Sequence, residues 1–444
     1  MAAMHTISIE SDDNSSENEN VWSSKLPPRM KRSAKAIFTL PYLIRQELLP
    51  DPSLSIKVLT DFLLPSQQPN PTKELSVLSQ FFSKDAPSTL SESLMTRLRH
   101  LPTPDPMTVR QLVEFRRQAW LNGFQSVRYA HLRSGAGSGA VTCFPLWVIT
   151  FWNEVLDVKK IRGRWITSRD WIKVQLKQKK SIERREMAEQ ASNMLSILPW
   201  GKNRPDGLSH GSDPIHTLWR YLGPNWLSDS EQNEMLELIR EKCLDSPEKC
   251  AQFRIQNIHF AGKLLEAFDS GSNVYQDKSS FGWLRHLGED LVQERSTVIT
   301  VVHLGSLNNT PHWVPLIIQK TKICFGDSFG TGIPEKLQAA CLWWLRQHHH
   351  VGLTEIINPS IHPLPITVQI DDHSCGILAD NALDHHVNGS PLLGSANSDI
   401  IAQRLKRFNL VSQHIIARVR LSVSILCISF LNFNPVRCNT GRYQ

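Results

Sequence analysis

Apolar positions in the first half of the chain recur three and four residues apart. "MTVRQLVEFRRQAWLNGF" (107–124) and "LWVITFWNEVLDV" (146–158) follow the period of a helix with one buried face, and "SVLSQFF" (76–82) is read the same way. Proline-rich joints, "LPSQQPNPT" and "LPTPDP", separate these stretches, so residues 36–198 are predicted to be mainly helical. The segment 199–214, "PWGKNRPDGLSHGSDP", is dense in Pro, Gly, Ser and Asp and is predicted to be a linker. Beyond it the period changes. "STVITVVHLG", "HWVPLIIQ" and "KICFGDSFG" are β-branched and aromatic runs set apart by "SLNNTP" and "KTK", which predicts consecutive antiparallel strands. "LPITVQI" (364–370) is predicted to be a further strand, and Pro315 inside "HWVPLIIQ" suggests an edge strand because proline lacks a ladder donor. Ser228 followed by Glu231 and an apolar run predicts a helix opened by a capping box. "EKLQAACLWWLRQHHH" and "GILADNALDHHV" complete an α+β domain over 215–430, with the Trp343–Trp344 pair assigned to its core. Residues 1–35 are predicted to be a disordered polar tail and 431–444 an irregular one.

Composition narrows the class. The 444 residues suffice for two or three packed domains. Eight cysteines are scattered without a CxxC pair and the N-terminus lacks a signal-peptide pattern, so a reduced intracellular compartment, nucleus or cytoplasm, is expected. The longest apolar run, "LSVSILCISFL" (421–431), is far short of the roughly 20 residues a membrane helix needs. Net charge is +7, yet Lys159–Arg185 alone holds eleven Lys and Arg against Asp170 and Glu183, which leaves the rest of the chain slightly acidic. That stretch is either a solvated helix face or a contact for nucleic acid. Asp371, Asp372, His373, the histidines at 348–350, His385 and His386 lack the spacing of a metal site, so no metal and no cofactor is expected.

Cys375 draws attention because it opens the apolar helix "GILADNAL". Unpaired N–H groups and the positive dipole end favour a thiolate there, and Gly376 adds no side chain to obstruct a substrate carbonyl. His312 begins one strand and Asp327 lies in the next. A turn centred near Lys320 brings the two opposite each other or one diagonal apart, where a carboxylate can hold an imidazole tautomer. Gln369, six residues before Cys375, has a side-chain amide suited to an oxyanion. Cys324 and Cys341 are fallback nucleophiles, though neither opens a helix.

The order His-Trp, then Asp fifteen residues on, then Gln six before Cys-Gly, preceded by a Trp-Leu-x-Asp helix start, resembles the ubiquitin-like-protein-specific cysteine proteases, the SUMO (sentrin-specific) protease family of peptidase clan CE. The resemblance spans roughly 215–410. It implies a papain-like cysteine protease fold, with a central mostly antiparallel sheet flanked by helices and preceded by the helical region. It implies Cys375 as nucleophile, His312 as general base and acid, Asp327 as its orienter and Gln369 as oxyanion donor. Trp226 and Trp313 match two aromatics that form a narrow tunnel over a Gly-Gly tail, and Asp229 matches an acidic substrate contact. The implied partner is a ubiquitin-like modifier, SUMO foremost, cleaved after its Gly-Gly end. Two positions depart from the family: Asp372 replaces a usual glycine and Ser374 a common aspartate. The alternative is a catalytically weak, mobile-element-associated protein acting through its basic helical half. "TISIESDD", with Ile7 and Ile9 before an acidic cluster, is a candidate strand-adding tether for a SUMO-like partner.

Overall fold

The structure, a computed structural model, describes residues 35–67, 81–89, 91–128, 143–179, 181–208, 213–293, 296–305, 311–348 and 359–431, with side chains up to 419. Residues 1–34 of the polar tail with the candidate tether at Ile7 and Ile9, His349, His350 and residues 432–444 lie outside the described residues, while Lys35 and Leu431 are helical. Contacts divide the chain into two units, one of Met1–Asp51 with Asp61–Arg162, the other of Pro52–Thr60 with Gly163–Gln444.

In the first unit, α1 (Tyr42–Leu48), α3 (Glu92–His100), α4 (Pro106–Leu121) and the start of α5 (Trp147–Leu176) enclose a core that includes Leu48, Leu98, Val109, Phe144 and Trp152. α4 starts where Asp105 accepts the N–H groups of Met107 and Thr108, both at 3.1 Å, ahead of a proline that needs no donor. A small antiparallel sheet, β1 (Phe82–Ser83), β2 (Ser126–Arg128) and β3 (Cys143–Pro145), joins them. The helix expected over 76–82 falls largely outside the described residues. Its last residue, Phe82, is in a strand, where it pairs with Val127.

The second unit takes in α2 (Ile56–Asp61), which straddles the division, the rest of α5, and α6 (Ile182–Leu195). The division falls between Arg162 and Gly163, within α5, whereas 199–214 belongs to the second unit. Its described residues are packed: Asn203 bridges Pro214, and buried Arg204 pairs with buried Glu231 at 2.6 Å. The turn-rich composition there marks a tight course held by an ion pair, where a linker was predicted. The basic run lies along α5 and the start of α6, and several of its cations are engaged. Arg164 sits over the Trp219 ring at 4.7 Å, Arg169 donates to Thr60 at 3.0 Å, and Lys173 pairs with Asp170.

Five strands form the main sheet in the order β4 (Phe253–Ile255), β5 (Thr297–His303), β6 (Trp313–Ile318), β7 (Lys322–Phe325) and β8 (Ser360–Pro363). β5, β6 and β7 pair antiparallel as predicted, with Val302 opposite Val314 and Ile317 opposite Cys324. Both outer strands pair parallel, which makes the sheet mixed where a mostly antiparallel one was expected. Val298, Val302, Val314, Leu316, Ile318 and Ile323 face one cluster, built with α9 (His259–Asp277), α10 (Gly282–Gln293) and α11 (Glu335–Gln347). Ile299, Val301, Trp313, Ile317 and Cys324 face another, with α7 (Asp229–Leu244) and α12 (Cys375–Asn388). The remaining helices are α8 (Pro247–Gln252) and α13 (Asn397–Leu431). Both faces are covered, which is why these strands read as unbroken apolar runs. Among the described residues no helix is long and apolar enough to cross a membrane.

Two strand expectations are corrected. β6 is the middle strand: Pro315 still accepts the Gly326 N–H at 3.2 Å, and the β6–β7 ladder spans only Leu316 to Ile318 because proline has no N–H to return that bond. The strand predicted at 364–370 is displaced to Ser360–Pro363. Leu364–Ile370 carries no ladder of its own, with proline at 363 and 365, and is held by Leu364 N–H to Phe325 and Gln369 N–H to Ser328.

Candidate active site

His312 lies one residue before β6 and Asp327 two residues after β7, so the hairpin register sets them near one another. His312 Nε2 and Asp327 Oδ1 are 2.8 Å apart, and both side chains are 3% exposed. Asp327 also accepts the N–H of Phe329 at 2.8 Å, the N–H of Thr331 at 2.9 Å, and the Thr331 hydroxyl. Burial pushes this carboxyl up, but the bonds from His312, Thr331 and Phe329 outweigh it and hold the carboxyl well below the usual range. The Phe329 ring stacks on the imidazole at 4.6 Å. His312 Nδ1 is buried without a hydrogen-bond partner.

Cys375 is the first residue of α12 and is fully buried. Burial pushes its thiol up to about 11, opposed by the N–H groups of Trp313 and Gly376 and by the Arg404 guanidinium. Because Trp313 directly follows His312, its N–H approaching this sulfur brings the start of β6 against the start of α12. The thiols of Cys324 and Cys341, the fallback nucleophiles, are buried and also raised by burial, Cys341 to about 12.

The other predicted residues divide. Gln369 is 7% exposed and already engaged: its amide nitrogen donates to the Asp371 carbonyl at 2.8 Å and its oxygen accepts from the Ser328 hydroxyl at 2.9 Å. Trp313 is 2% exposed, with its Nε1 donating to the Leu227 carbonyl at 2.8 Å and its ring 4.7 Å from that of His303. Trp226, one residue before Leu227, is 36% exposed, and Asp229 is exposed at the start of α7. The two indoles thus differ, one enclosed in the core and one at the surface. A Cβ on Gly376 would stand 2.1 Å from Gln232 Nε2, so any larger residue there would displace the Gln232 amide. At the departing positions, Ser374 donates to Asp371 at 2.6 Å while the Asp372 side chain is exposed beside His373.

Sequence reading missed two residues beside Cys375. Arg404 of α13 is buried and donates to the carbonyls of Arg220 (3.2 Å), Asn225 (2.9 Å) and His373 (2.8 Å). It thereby ties the chain before Trp226 to the chain before Cys375. Asp371 accepts the N–H groups of His373 at 2.9 Å and Ser374 at 2.8 Å and so shapes the last turn before the thiol. The available signals were an arginine in the long amphipathic pattern of α13 and an Asp-x-x-Ser sequence before a helix.

A three-residue group able to hold a metal, Glu237, Glu241 and His414, occurs elsewhere among the described residues. Arg240 and Arg418 already pair with Glu237 and oppose a cation there.

No family model matches this sequence, and no curated protein matches it. The chain is similar to solved structures of Ulp1-like SUMO proteases. A structure of the Ulp1 protease domain in complex with Smt3, the yeast ortholog of SUMO, is 20% identical at a TM-score of 0.35, covering 51% of this chain and 94% of that one. The catalytic domain of the Chaetomium thermophilum Ulp1-like SUMO protease is 13% identical at a TM-score of 0.36, covering 51% and 88%. Xanthomonas XopD, a ubiquitin-like protein protease, is 16% identical at a TM-score of 0.26, covering 41% and 99%.

Proposed function

We propose that the chain is a cysteine protease that cleaves after the C-terminal Gly-Gly of SUMO or a related ubiquitin-like modifier. The observation that carries this reading is the buried His312–Asp327 pair, whose free Nδ1 belongs to the residue next to Trp313, the residue that approaches the Cys375 sulfur. With Asp327 accepting from Nε2, the imidazole proton resides on Nε2 and Nδ1 is left to accept the thiol proton. Cys375 then attacks the carbonyl carbon of the terminal glycine. The resulting oxyanion is met by backbone N–H groups at the start of α12, with Gln369 released from Asp371 as a further donor. His312 returns the proton to the leaving amine, and water hydrolyses the thioester with His312 as base. Trp226 and Asp229 would contact the modifier beside this cleft, and Trp313 would wall it from within.

The test is a panel of SUMO, ubiquitin and related proteins carrying an electrophile at the C-terminal glycine. A covalent adduct with at least one member, absent from Cys375→Ser, is expected. Adducts that persist in that variant, or no adduct with any member, would overturn the reading.

A further inference from the structure

Gln232 lies in the first turns of α7, immediately beside the start of α12, and is fully buried. Neither its Nε2 nor its Oε1 has a hydrogen-bond partner. A buried side-chain amide with both atoms unmet is costly, and its cost recurs in every molecule unless a ligand meets it. Its neighbours say where that ligand would lie. A Cβ built on Gly376, the residue after Cys375, would stand 2.1 Å from Nε2 and 3.4 Å from Leu227 Cβ, so both lie on the side of Gly376 that lacks a side chain. Leu227 is also the residue whose carbonyl holds the Trp313 indole. Gln232 therefore stands where the nucleophile's helix, the Trp226–Leu227 segment and Trp313 converge.

Cys375 is itself fully buried, His312 and Trp313 are each 2% exposed, and Gln232 is no more enclosed than they are. Any displacement that admits a substrate to the sulfur thus opens the space around Gly376, where the amide waits. The chemistry of the ligand follows from the two orphan atoms. A primary amide with a free donor and a free acceptor on one edge matches the N–H and C=O of a single residue in an extended chain, which belong to successive trans peptide units and point to the same side. A glycine tail presents little except such units, so it can approach this closely without a side chain to exclude it.

We propose that Gln232 is a substrate-binding residue that pairs through both amide atoms with the backbone N–H and C=O of one residue of the extended tail just before the scissile bond. This deepens the protease reading and rests on it. Its mark is an opposition between stability and turnover: removing an unmet amide leaves the free protein at least as stable, while removing a substrate contact slows the reaction.

The test compares the full chain with Gln232→Met, which keeps the length of the side chain. Three measurements are made: thermal midpoint, alkylation of Cys375 by iodoacetamide, and turnover of a Gly-Gly-linked modifier substrate that the wild type cleaves. The expected result is an unchanged or raised midpoint, unchanged alkylation, and a loss of roughly five- to hundredfold in kcat/KM, the worth of two hydrogen bonds. A tail in which the tested peptide N–H is replaced by an ester oxygen should cost the wild type more than it costs the variant. Equal turnover of wild type and variant, equal ester penalties, or a variant that unfolds would each overturn the proposal while leaving the protease reading intact. A wild-type chain that cleaves no Gly-Gly substrate would overturn both.

Discussion

Replacing Asp327 by asparagine keeps the shape of the side chain while removing its charge and half of its accepting capacity. In the native site four donors converge on two oxygens: His312 Nε2 and the Phe329 N–H on Oδ1, the Thr331 N–H and hydroxyl on Oδ2. Asparagine has one oxygen for them. If that oxygen faces His312, the amide NH2 opposes the Thr331 N–H. If it faces Thr331, the NH2 opposes Phe329 and donates to Nε2, which moves the imidazole proton to Nδ1, where the thiol needs an acceptor. Either way one N–H loses its acceptor, and because Phe329 and Thr331 are exposed and water can take its place the loss is about 0.5–1.5 kcal/mol of stability. In both cases the negative charge that would stabilise an imidazolium is gone, and turnover should fall on the order of 10⁴-fold, as when a triad histidine loses its carboxylate. The stability effect has a definite pH sense. Because the folded carboxyl lies below its ordinary value, its contribution is present above the unfolded pKa and is lost as pH falls through the folded one. The Asn variant should therefore be weaker than wild type at pH 7 and converge with it in strong acid. Urea unfolding at several pH values, together with a turnover assay on a substrate the wild type cleaves, measures both. A variant with wild-type turnover would refute the orienting role, and a stability difference that persists unchanged in strong acid would refute the hydrogen-bond account.

Arg404→Met should cost about 3 kcal/mol or more by stranding the carbonyls of Arg220, Asn225 and His373, with Arg404→Lys recovering part of the loss; urea midpoints that match the wild type would show that those bonds are not made in solution. Trp313→Ala should cost about 3–5 kcal/mol, because the indole is enclosed beside Cys375 and its removal leaves a cavity; a loss of turnover at unchanged stability would instead mark Trp313 as a substrate contact alone. Glu234 is pushed up to about 7, first by burial and then by Glu237 and Glu231 against the pull of Arg204, so its contribution is full below the unfolded value near 4.5 and is lost as pH rises through 7. Glu234→Gln should accordingly gain on the wild type between pH 5 and pH 8, and a constant gap in urea midpoints would count against it.

Much of the second unit was legible because its elements obey short-range rules. β5, β6 and β7 are apolar on both faces and bounded by turn residues, and Glu231 accepts the Ser228 N–H at 3.0 Å as the capping-box spacing predicted. Where the outcome depended on a distant partner, pattern alone misled. Ser360–Pro363 is a strand because β7 lies parallel beside it, whereas the more strand-like "LPITVQI" finds no ladder. Pro315 sits in a central strand at the end of the β6–β7 ladder, where it accepts from Gly326 and forgoes one returning bond. The turn-rich stretch at 199–214 is fastened to the second unit by long-range contacts, among them Arg204 with Glu231 and the Leu208 N–H with Glu237, which composition cannot reveal.

The candidate site divides along the same line. His312 and Asp327 could be matched in advance because a hairpin converts sequence distance into a register, so the position of the turn fixes which side chains meet. Cys375 was conspicuous because a thiol at a helix start has an electrostatic reason to be there. Gln232 and Arg404 offered no such handle. A polar residue in a helical pattern is ordinarily read as facing solvent, and that default fails for α7, where Glu231, Gln232, Asn233 and Glu234 are buried in succession. Four consecutive residues cannot share one helix face, so α7 is enclosed on all sides from Glu231 to Glu237. Within that enclosure Glu231 meets Arg204, Asn233 accepts the Ile258 N–H at 3.0 Å, and Glu234 lies 3.9 Å from Arg204, which leaves Gln232 as the member with neither atom met. The burial that hid Gln232 from pattern reading is what singles it out once the packing is known, because an unmet amide tells only in a place that water cannot reach.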